Sequence, residues 1–397
     1  NFTVLEKVLN WLMEQLYFVH IQHLFLDNYL DNYLDSYLDN YLGNFEDSYL
    51  GNYFHLQDLK DIQLDNLMLQ DMCIDHQHYL EHQFLQTGTK ICYFPSESII
   101  SFFRQLRRLV RSDNVSLIHA QSSYDAFLAW IATIGLRTPI LQTIHGYEIP
   151  SKRLGRIVEQ LMFRICRRTV CVSNQQKDHF VDIYKMPKRV KNKISVVYNG
   201  IDFSQMPDPK TRNHVPIKMA MVGNFVSEKN QLYVCRFLQK LYGSGIDFDF
   251  LFIGSKVAQC PDRYDECVRF CNDNGLIGKV HFLGRRNDVY SILADIDAFI
   301  YCSRSETFGL AVIESVAMGI PTFVNDLLVF KEITVGGKLA HLYSSQSVDD
   351  LYHLFVDFLS NKDTYQKSAL GNAAAVRHMY SIQNHLQELN NLYNSIV

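Results

Sequence analysis

The chain has 397 residues, 47% of them hydrophobic and 20% charged, which is a globular composition in a length that exceeds one core of ordinary size. The net charge of −4 gives no general reason to expect nucleic acid as a partner. The charge is unevenly divided: residues 1–87 hold two lysines against fourteen acidic residues, whereas residues 88–200 hold eighteen basic residues against seven acidic ones. Such asymmetry can mark a surface that meets an anionic partner.

The cysteines and the apolar runs limit the class of protein further. Among nine cysteines, Cys260, Cys267 and Cys271 cluster, but with six and then three residues between them they fit no usual zinc pattern. We therefore expect a reducing compartment, no disulfides and no metal. No apolar run reaches the roughly 18–20 residues that span a bilayer, and no signal peptide is recognisable, so we expect a cytoplasmic protein. The first residue is Asn rather than Met, which leaves open whether residues precede it.

The first segment of the chain, residues 1–87, is atypical. Residues 26–54 repeat the unit Asp-Asn-Tyr-Leu, which decays toward its end. A period of four is compatible with a slowly winding helical stripe and also with an alternating extended strand. Either a tyrosine-rich interaction surface or an expanded repeat under weak constraint explains this pattern, and composition favours the repeat.

From residue 88 onward, short apolar segments alternate with helical ones. Strands are predicted at "TKICYFP", "VSLIHAQ", "TPILQTIHG" and "TVCVS", with amphipathic helices between them. A polar stretch with three prolines at residues 202–216 predicts a linker, and the alternation restarts at "IKMAMVG". Apolar strands separated by helices indicate parallel sheets covered on both faces. The sequence thus predicts two doubly wound α/β domains with a cleft between them, where ligands bind beyond the carboxyl ends of strands.

The stretch "SRSETFGLAVIESVAMGIP" at residues 303–321 places two glutamates eight positions apart. Glu306 follows a predicted strand, and a helix is predicted to begin near residues 307–309, so its first amides form an anion-binding site. Glu314 lies about one turn inside that helix, where a carboxylate can accept two hydrogen bonds from a ribose diol. The spacing therefore suits ribose, diphosphate and sugar in a row. The residues that would supply the phosphate-binding amides are Thr307, Phe308, Gly309 and Leu310. The alternative is that Glu306 caps the helix and Glu314 is an ordinary exposed residue.

This stretch resembles the E(x)7E signature of retaining nucleotide-sugar glycosyltransferases with the GT-B fold, in the large group called family four or group 1. "MVGNFVSEKN" resembles the turn that opens the second domain of that family, with Gly223 in the turn and Lys229 as the lysine that grips the diphosphate. Asn224 stands where many members have arginine, and Arg285 or Arg286 is a possible substitute. "TIHGYE" resembles the segment whose histidine lies beside the donor sugar, which falls on His145.

The resemblance covers about residues 88–397 and implies the domain organisation. Residues 88–204 correspond to the acceptor domain, residues 205–380 to the donor domain, and residues 381–397 to a last helix that packs back on the first domain. It implies catalytic roles for Glu306, His145 and Lys229. Donor binding is implied for Gly223, Asn224, Lys229, Arg285, Thr307, Phe308, Gly309, Leu310 and Glu314.

The implied activity is transfer of a hexose from a UDP- or GDP-sugar to a glycan or lipid-linked acceptor, with retention of configuration, in cell-surface polysaccharide synthesis. Neither a metal nor a cofactor is implied, and "DFD" at 247–249 and "DID" at 295–297 are interpreted as structural. The alternative is a catalytically silent module that binds glycan or protein as a scaffold. A phosphorylase or a sugar epimerase on the same fold is a third option.

Two basic helical segments raise a further question, namely contact with the inner face of an anionic membrane. Such faces suit anionic lipid, but they also occur as ordinary solvated helix surfaces. The residues concerned are Arg104, Arg107, Arg108, Arg111, Lys152, Arg153, Arg156, Arg164, Arg167 and Arg168.

Overall fold

The structure is a computed structural model that describes residue 92 and residues 99–147, 153–258 and 260–397. The repeat at residues 26–54 and the strand predicted at "TKICYFP", apart from Cys92, lie outside the described residues.

The first lobe contains a sheet of four parallel strands in the order β1-β2-β3-β4, among the residues described. In register, Ile118 pairs with Ile140, Leu141 with Arg168, and Thr169 with Ile194. In chain order the elements are α1 (Ile99–Ser112), β1 (Ile118–Ala120), α2 (Ser123–Ala132), β2 (Ile140–Ile144), α3 (Arg153–Ile165), β3 (Arg168–Cys171), α4 (Asn174–Ile183), α5 (Lys188–Lys191) and β4 (Ile194–Val196).

The second lobe contains a sheet of six parallel strands in the order β10-β9-β8-β5-β6-β7. A 3₁₀ turn at Phe203–Gln205 precedes it. Its elements are β5 (Ile217–Val222), α6 (Gln231–Gly243), β6 (Phe248–Ile253), α7 (Pro261–Asp273), β7 (Val280–Phe282), α8 (Val289–Leu293), β8 (Ala298–Tyr301), α9 (Leu310–Ala317), β9 (Thr322–Asn325), α10 (Leu328–Ile333), β10 (His341–Tyr343), α11 (Val348–Ser360) and α12 (Lys362–Met379).

The composition of the strands explains why both sheets are parallel and covered on both faces. All residues of β2, β8 and β9 are buried, which requires helices above and below each sheet. Serine N-caps start several of these helices: the hydroxyl of Ser122, for example, accepts a hydrogen bond from the backbone N–H of Asp125 at 3.1 Å. The predicted α/β fold with two doubly wound domains is confirmed.

The last helix, α13 (Ile382–Asn394), returns to the first lobe. Leu389 and the following Ile396 share a buried cluster with Leu141 and Val170 of the first sheet and with Val197 just after β4. Where the chain crosses back, the backbone N–H of Ile201 donates to Tyr380 at 2.8 Å and that of Ile382 donates to Ile201 at 3.0 Å. The two segments that join the lobes are thus hydrogen-bonded to each other.

The residues of "DID" and the clustered cysteines make contacts within the second lobe. Asp297 is fully buried and accepts hydrogen bonds from the backbone N–H of His214 at 3.1 Å and from Lys362 Nζ at 3.0 Å, which fixes the linker. Cys267 and Cys271 lie in the core between α6 and α7. Within the described ranges, no three His, Cys, Asp or Glu side chains converge to hold a metal ion. No helix in those ranges is long and apolar enough to cross a bilayer.

Candidate active site

Three glycines end three neighbouring strands at one edge of the second sheet. Gly223 follows β5, Gly254 follows β6 and Gly284 comes shortly after β7. A Cβ atom on Gly254 would lie 2.2 Å from the carbonyl oxygen of Gly223, so only glycine permits this close approach. The edge is the carboxyl end of the sheet, where parallel α/β folds hold their ligands.

Lys229, Tyr301 and Glu306 form a polar cluster beside this edge. Lys229 donates to the hydroxyl of Tyr301 at 2.6 Å and pairs with Glu306 Oε2, and the Tyr301 hydroxyl lies 3.0 Å from the same carboxylate oxygen. The stem of Lys229 runs past Gly223, whose added Cβ would stand 3.8 Å from the lysine methylenes. The structure thus brings together the predicted residues Gly223, Lys229 and Glu306 and adds Tyr301, which no motif in the sequence indicates.

Glu314 lies on α9, a helix whose residues are all buried, and is close to the same cluster. Only 6% of the residue is exposed, and the hydroxyl of Tyr290 donates to its Oε1 at 3.0 Å. Burial raises the pKa of Glu314 to about 7, although the Tyr290 hydrogen bond acts in the opposite direction. Burial, then Glu306 and, more weakly, Glu314 raise the pKa of Tyr301, so both carboxylates lie within electrostatic reach of that hydroxyl.

Gly309 sets the geometry at the start of α9. It is the N-cap in a left-handed conformation with φ of +96°, and an added Cβ would come within 2.7 Å of Phe330 and 3.5 Å of Glu306 Cγ. The helix begins at Leu310, and no described residue accepts a hydrogen bond from the backbone N–H of Gly309 or Leu310. These amides, with Lys229 nearby, form a positive region suited to phosphate.

The other predicted donor residues have additional contacts. The side-chain oxygen of Asn224 accepts from the backbone N–H of Ser255 at 2.8 Å, which joins the turns after β5 and β6. Arg285 is exposed on the loop after β7, and Arg286 beside it is paired with Asp288 at 2.7 Å. The predicted roles of Asn224 and Arg285 toward a donor stay predictions.

Residues Thr307 and Phe308 are held by the first lobe. The carbonyl of Thr307 accepts from the Ser173 hydroxyl at 2.7 Å. The ring of Phe308 is buried between Tyr198 and Tyr380, with ring centroids 5.9 and 5.6 Å away. The side chain of Phe308 therefore belongs to the junction between lobes, and only its backbone is available to a ligand.

His145 enters from the first lobe, just beyond the end of β2. Its Nε2 lies 3.0 Å from Gln121 Oε1, and burial, followed by the nearby His385, lowers its pKa to about 4. Tyr147, two residues later, has its pKa raised by burial, by Glu332 and by Glu306 of the second lobe. The segment that carries His145 thus faces the side of the cleft where Glu306 lies.

Two further histidines, His119 and His385, lie near the segment that carries His145. His119 lies 2.7 Å from Thr143 Oγ1 and 2.6 Å from the hydroxyl of Tyr393 on α13, and His385 on the same helix lies 2.6 Å from the carbonyl of Tyr198. Burial lowers the pKa of His119 to about 3, with smaller effects of His145 and His385. The histidines beside the cleft are therefore neutral at physiological pH.

Two family models match the chain in succession. The Glycosyltransferase Family 4 model matches residues 83–205, and the Glycosyl transferases group 1 model matches residues 202–375. Each match corresponds to one of the two lobes.

Relatives and solved structures agree with these matches. A UDP-Gal:alpha-D-GlcNAc-diphosphoundecaprenol alpha-1,3-galactosyltransferase from Escherichia coli is 24% identical over 251 residues, which cover 58% of this chain and 62% of the relative, less than two thirds of its length. A glycosyltransferase from Rickettsia africae superposes with a TM-score of 0.69 at 19% identity, over 80% of this chain and 88% of the other. Anabaena HepE in complex with UDP gives a TM-score of 0.68 at 16% identity, over 79% and 89% of the two chains. From the two family matches, the paired Rossmann-like lobes and these relatives, we conclude that the chain belongs to the group 1 glycosyltransferases and has their GT-B fold.

Proposed function

We propose that the protein transfers a hexose from a UDP- or GDP-sugar to a glycan or lipid-linked acceptor, with retention of configuration, in the synthesis of a cell-surface polysaccharide. The observation that carries this proposal is the cluster of Lys229, Tyr301 and Glu306 beside the open amides at the start of α9, with Glu314 behind them. A cation, free N–H groups and two acceptors in that order match a sugar linked to a nucleoside diphosphate.

Each residue receives a role from its position. Glu314 accepts hydrogen bonds from the ribose, and the amides of Gly309 and Leu310 receive the diphosphate. Lys229, which pairs with Glu306 in the structure, turns to the diphosphate as its bond to the sugar breaks and negative charge grows there. Glu306 is then left to hold hydroxyls of the donor sugar. In this scheme the lysine and the amides neutralise the leaving group, and no metal or cofactor takes part.

The acceptor side of the proposal depends on the first lobe. His145 contributes a neutral imidazole to the cleft, and we propose that it contacts the donor sugar or the acceptor hydroxyl. We propose that the leaving phosphate takes the acceptor proton, so that attack occurs on the face from which the nucleotide leaves. The lipid-diphosphate acceptor named for the Escherichia coli relative and the UDP bound to HepE support the choice of substrate classes.

The experiment is a panel of UDP- and GDP-sugars screened for thermal stabilisation, followed by turnover of each hit with lipid-diphosphate and glycan acceptors. Lys229→Ala should lower kcat by about a hundredfold or more, as expected when a group that stabilises a leaving charge is lost. Lys210→Ala is the matched control, because this lysine is exposed on the linker. The anomeric configuration of the product, read by NMR, tests retention.

Two results would contradict the proposal. If the protein binds no nucleotide-sugar at millimolar concentration, the proposed donor site is refuted. Binding without turnover on any acceptor, and with no hydrolysis of the donor, would favour the silent scaffold that binds glycan or protein.

We also propose peripheral contact with an anionic membrane, through the basic surface at the amino ends of β3 and β4. Lys193 donates to the carbonyl of Cys166 at 3.0 Å, which places its ammonium beside Arg167 and Arg168. Burial lowers the pKa of Lys193, Cys166 acts in the opposite direction, and Arg189, Arg167 and Arg168 lower it further. Arg168 also donates to the carbonyl of Asn192 at 2.8 Å, so part of this basic surface serves the fold.

The test of this contact should spare the structural hydrogen bonds. Charge reversal at the exposed Lys188, Arg189 and Lys191 should release the protein from vesicles that contain phosphatidylglycerol, and neutral vesicles serve as the control. Equal sedimentation of both proteins with the anionic vesicles would contradict membrane contact through this surface.

A further inference from the structure

The donor loop, which we define as residues 303–309, is bound by the first lobe through a hydroxyl that the proposed chemistry does not use. Ser173 is fully buried at the N-cap of α4. Its oxygen accepts from the backbone N–H of Gln176 at 3.1 Å, and its hydrogen goes to the carbonyl of Thr307 at 2.7 Å. One side chain therefore starts a helix in the first lobe and fixes the peptide that precedes the phosphate-binding amides.

A carboxylate of the second lobe completes the start of the same helix. Glu332 on α10 accepts from the backbone N–H of Asn174 at 2.7 Å and of Gln175 at 2.9 Å. It also accepts from the Asn174 side chain and the Tyr198 hydroxyl, both at 2.9 Å. These amides are the first of α4, which would otherwise need water or a side chain of their own lobe. A negative charge at a helix N-terminus also interacts favourably with the helix dipole.

The two contacts lie side by side, and each lobe supplies the side chain of one of them. Ser173 of the first lobe is hydrogen-bonded to the donor loop, while Glu332 of the second lobe is hydrogen-bonded to the residues directly after Ser173. The ring of Phe308, enclosed by Tyr198 and Tyr380, fills the space beside them. The loop is thus held in place by groups that meet only when the lobes are as close as in this structure.

We propose that Ser173 and Glu332 are positioning residues that make the geometry of the donor loop depend on closure of the lobes. When the lobes part, Thr307 loses the Ser173 hydroxyl and α4 loses the Glu332 carboxylate. The amides at Gly309 and Leu310 are then less well fixed, and His145 moves away with the first lobe. The catalytic part of this inference rests on the proposed transfer reaction; the structural part does not.

The experiment compares Ser173→Ala and Glu332→Gln with two matched controls. Ser347→Ala removes the N-cap serine of α11, whose hydroxyl oxygen accepts from the backbone N–H of Asp349 at 3.1 Å. Lys331→Gln removes an exposed charge next to Glu332 on α10. Hydrogen exchange measured by mass spectrometry on the full chain follows the peptide over residues 303–310. Exchange there should be faster in Ser173→Ala and Glu332→Gln and unchanged in both controls.

Kinetics on the best donor then test the catalytic part. Each of the two variants should lower kcat about tenfold, since Ser173→Ala removes a neutral hydrogen bond to the donor loop and Glu332→Gln removes the charge at the start of α4. The KM for the donor should change less than about threefold, since Lys229 and Glu314 stay in the second lobe and a loss of about 0.65 kcal/mol or less corresponds to that factor. A melting temperature close to that of the wild type shows that the variants fold.

The outcomes separate this inference from the proposed function. Unchanged exchange over residues 303–310 would overturn the inference, whatever the activity. Faster exchange with unchanged kcat would overturn its catalytic part. A wild-type protein that binds no nucleotide-sugar would refute the proposed function, while the exchange data would still decide whether Ser173 and Glu332 hold the loop.

Discussion

Tyr301 offsets part of the free-energy cost of holding the Lys229–Glu306 ion pair in a partly buried position. The side chains of the pair are only 13% and 15% exposed, so each charge has lost most of its water. The Tyr301 hydroxyl, fully buried beneath them, lies within hydrogen-bond distance of both charged groups. In the proposed reaction it stays with Glu306 when Lys229 turns to the diphosphate, so that the carboxylate is never left without a donor.

Glu314 is the residue whose ionisation we expect to control donor affinity. Ribose hydroxyls donate best to a carboxylate, but burial raises the pKa of Glu314 to about 7, so part of the protein carries a neutral acid at that pH. Affinity for the donor should therefore rise about tenfold between pH 6 and 8, since one proton must leave before binding. Calorimetry with the intact nucleotide-sugar checks this, because its diester phosphates do not titrate in that range.

Glu314→Gln provides the control for this pH dependence. It should bind the donor more weakly than the wild type at pH 8 and show little change with pH. The raised pKa also makes the free energy of unfolding depend on pH. Between the ordinary value of 4.5 and about 7, the folded protein keeps a proton that the unfolded chain has lost. The contribution of Glu314 to the free energy of unfolding therefore falls as pH rises through that interval. A wild-type affinity independent of pH would contradict the assigned role.

At the scale of elements, the start of α9 depends on the backbone of one glycine. Gly309→Ala must place a Cβ 2.7 Å from Phe330 in a left-handed conformation with φ of +96°. We expect a loss of about 2–4 kcal/mol in the free energy of unfolding, from strain and overpacking together. Chemical denaturation measures the loss, and calorimetry should show that donor binding is lost with it.

Gly278→Ala separates the two causes. Gly278 has a similar φ of +80°, but an added Cβ meets nothing within 4 Å. This variant should lose only about 1 kcal/mol, the cost of the backbone conformation alone, and should keep its donor affinity. Equal losses in the two variants would show that contact with Phe330 has no part in fixing the loop.

The elements that sequence could predict are those with strong apolar patterns. The helix at Leu310–Ala317 and the strand at Ala298–Tyr301 are wholly buried and were predicted with small errors at their ends. The helix at Asn174–Ile183 was missed, because "NQQKDHFVDI" has few apolar residues and starts on a cap completed by Glu332 from the other lobe. β4 at Ile194–Val196 was also missed, although the equally short β1 was predicted within "VSLIHAQ".

The same distinction holds for the candidate site. Glu306 and Lys229 stand in recognisable motifs, so their proximity could be predicted from the resemblance. Tyr301 reads as one more aromatic residue of a buried strand, and its hydroxyl acquires a role only when Lys229 folds over Gly223. The contact of Ser173 with Thr307 joins residues 134 positions apart, for which a single sequence contains no signal.

At the scale of the whole molecule, the cleft is defined by how the chain crosses between lobes. It crosses near Ile201 and again near Tyr380, and the two segments are hydrogen-bonded to each other. After the second crossing, the last helix brings Tyr393 against His119 of the first sheet and His385 against the carbonyl of Tyr198. Burial and the nearby His385 lower the pKa of His145, so this helix also lies close to the segment that carries His145. The position of His145 relative to Glu306 therefore depends on this crossing as well as on the donor loop.

Gly200 tests that dependence, because it lies in the crossing and packs against α13. A Cβ at this position would lie 2.6 Å from His385 Cβ and 2.8 Å from Ile382 Cα, both too close, while no unusual φ adds strain. Gly200→Ala must therefore push α13 outward and shift the first lobe against the second. We expect a loss of about 1–3 kcal/mol in the free energy of unfolding, together with a fall in kcat of at least about fivefold, equivalent to 1 kcal/mol. Donor affinity should remain near that of the wild type, because the donor residues stay within the second lobe. Thermal unfolding, calorimetry and turnover on the same preparation check the three parts.

Gly243→Ala is the matched control, since a Cβ there meets nothing within 4 Å and no unusual φ is involved. Loss of donor affinity in proportion to kcat would contradict the view that the crossing sets only the relation between the lobes.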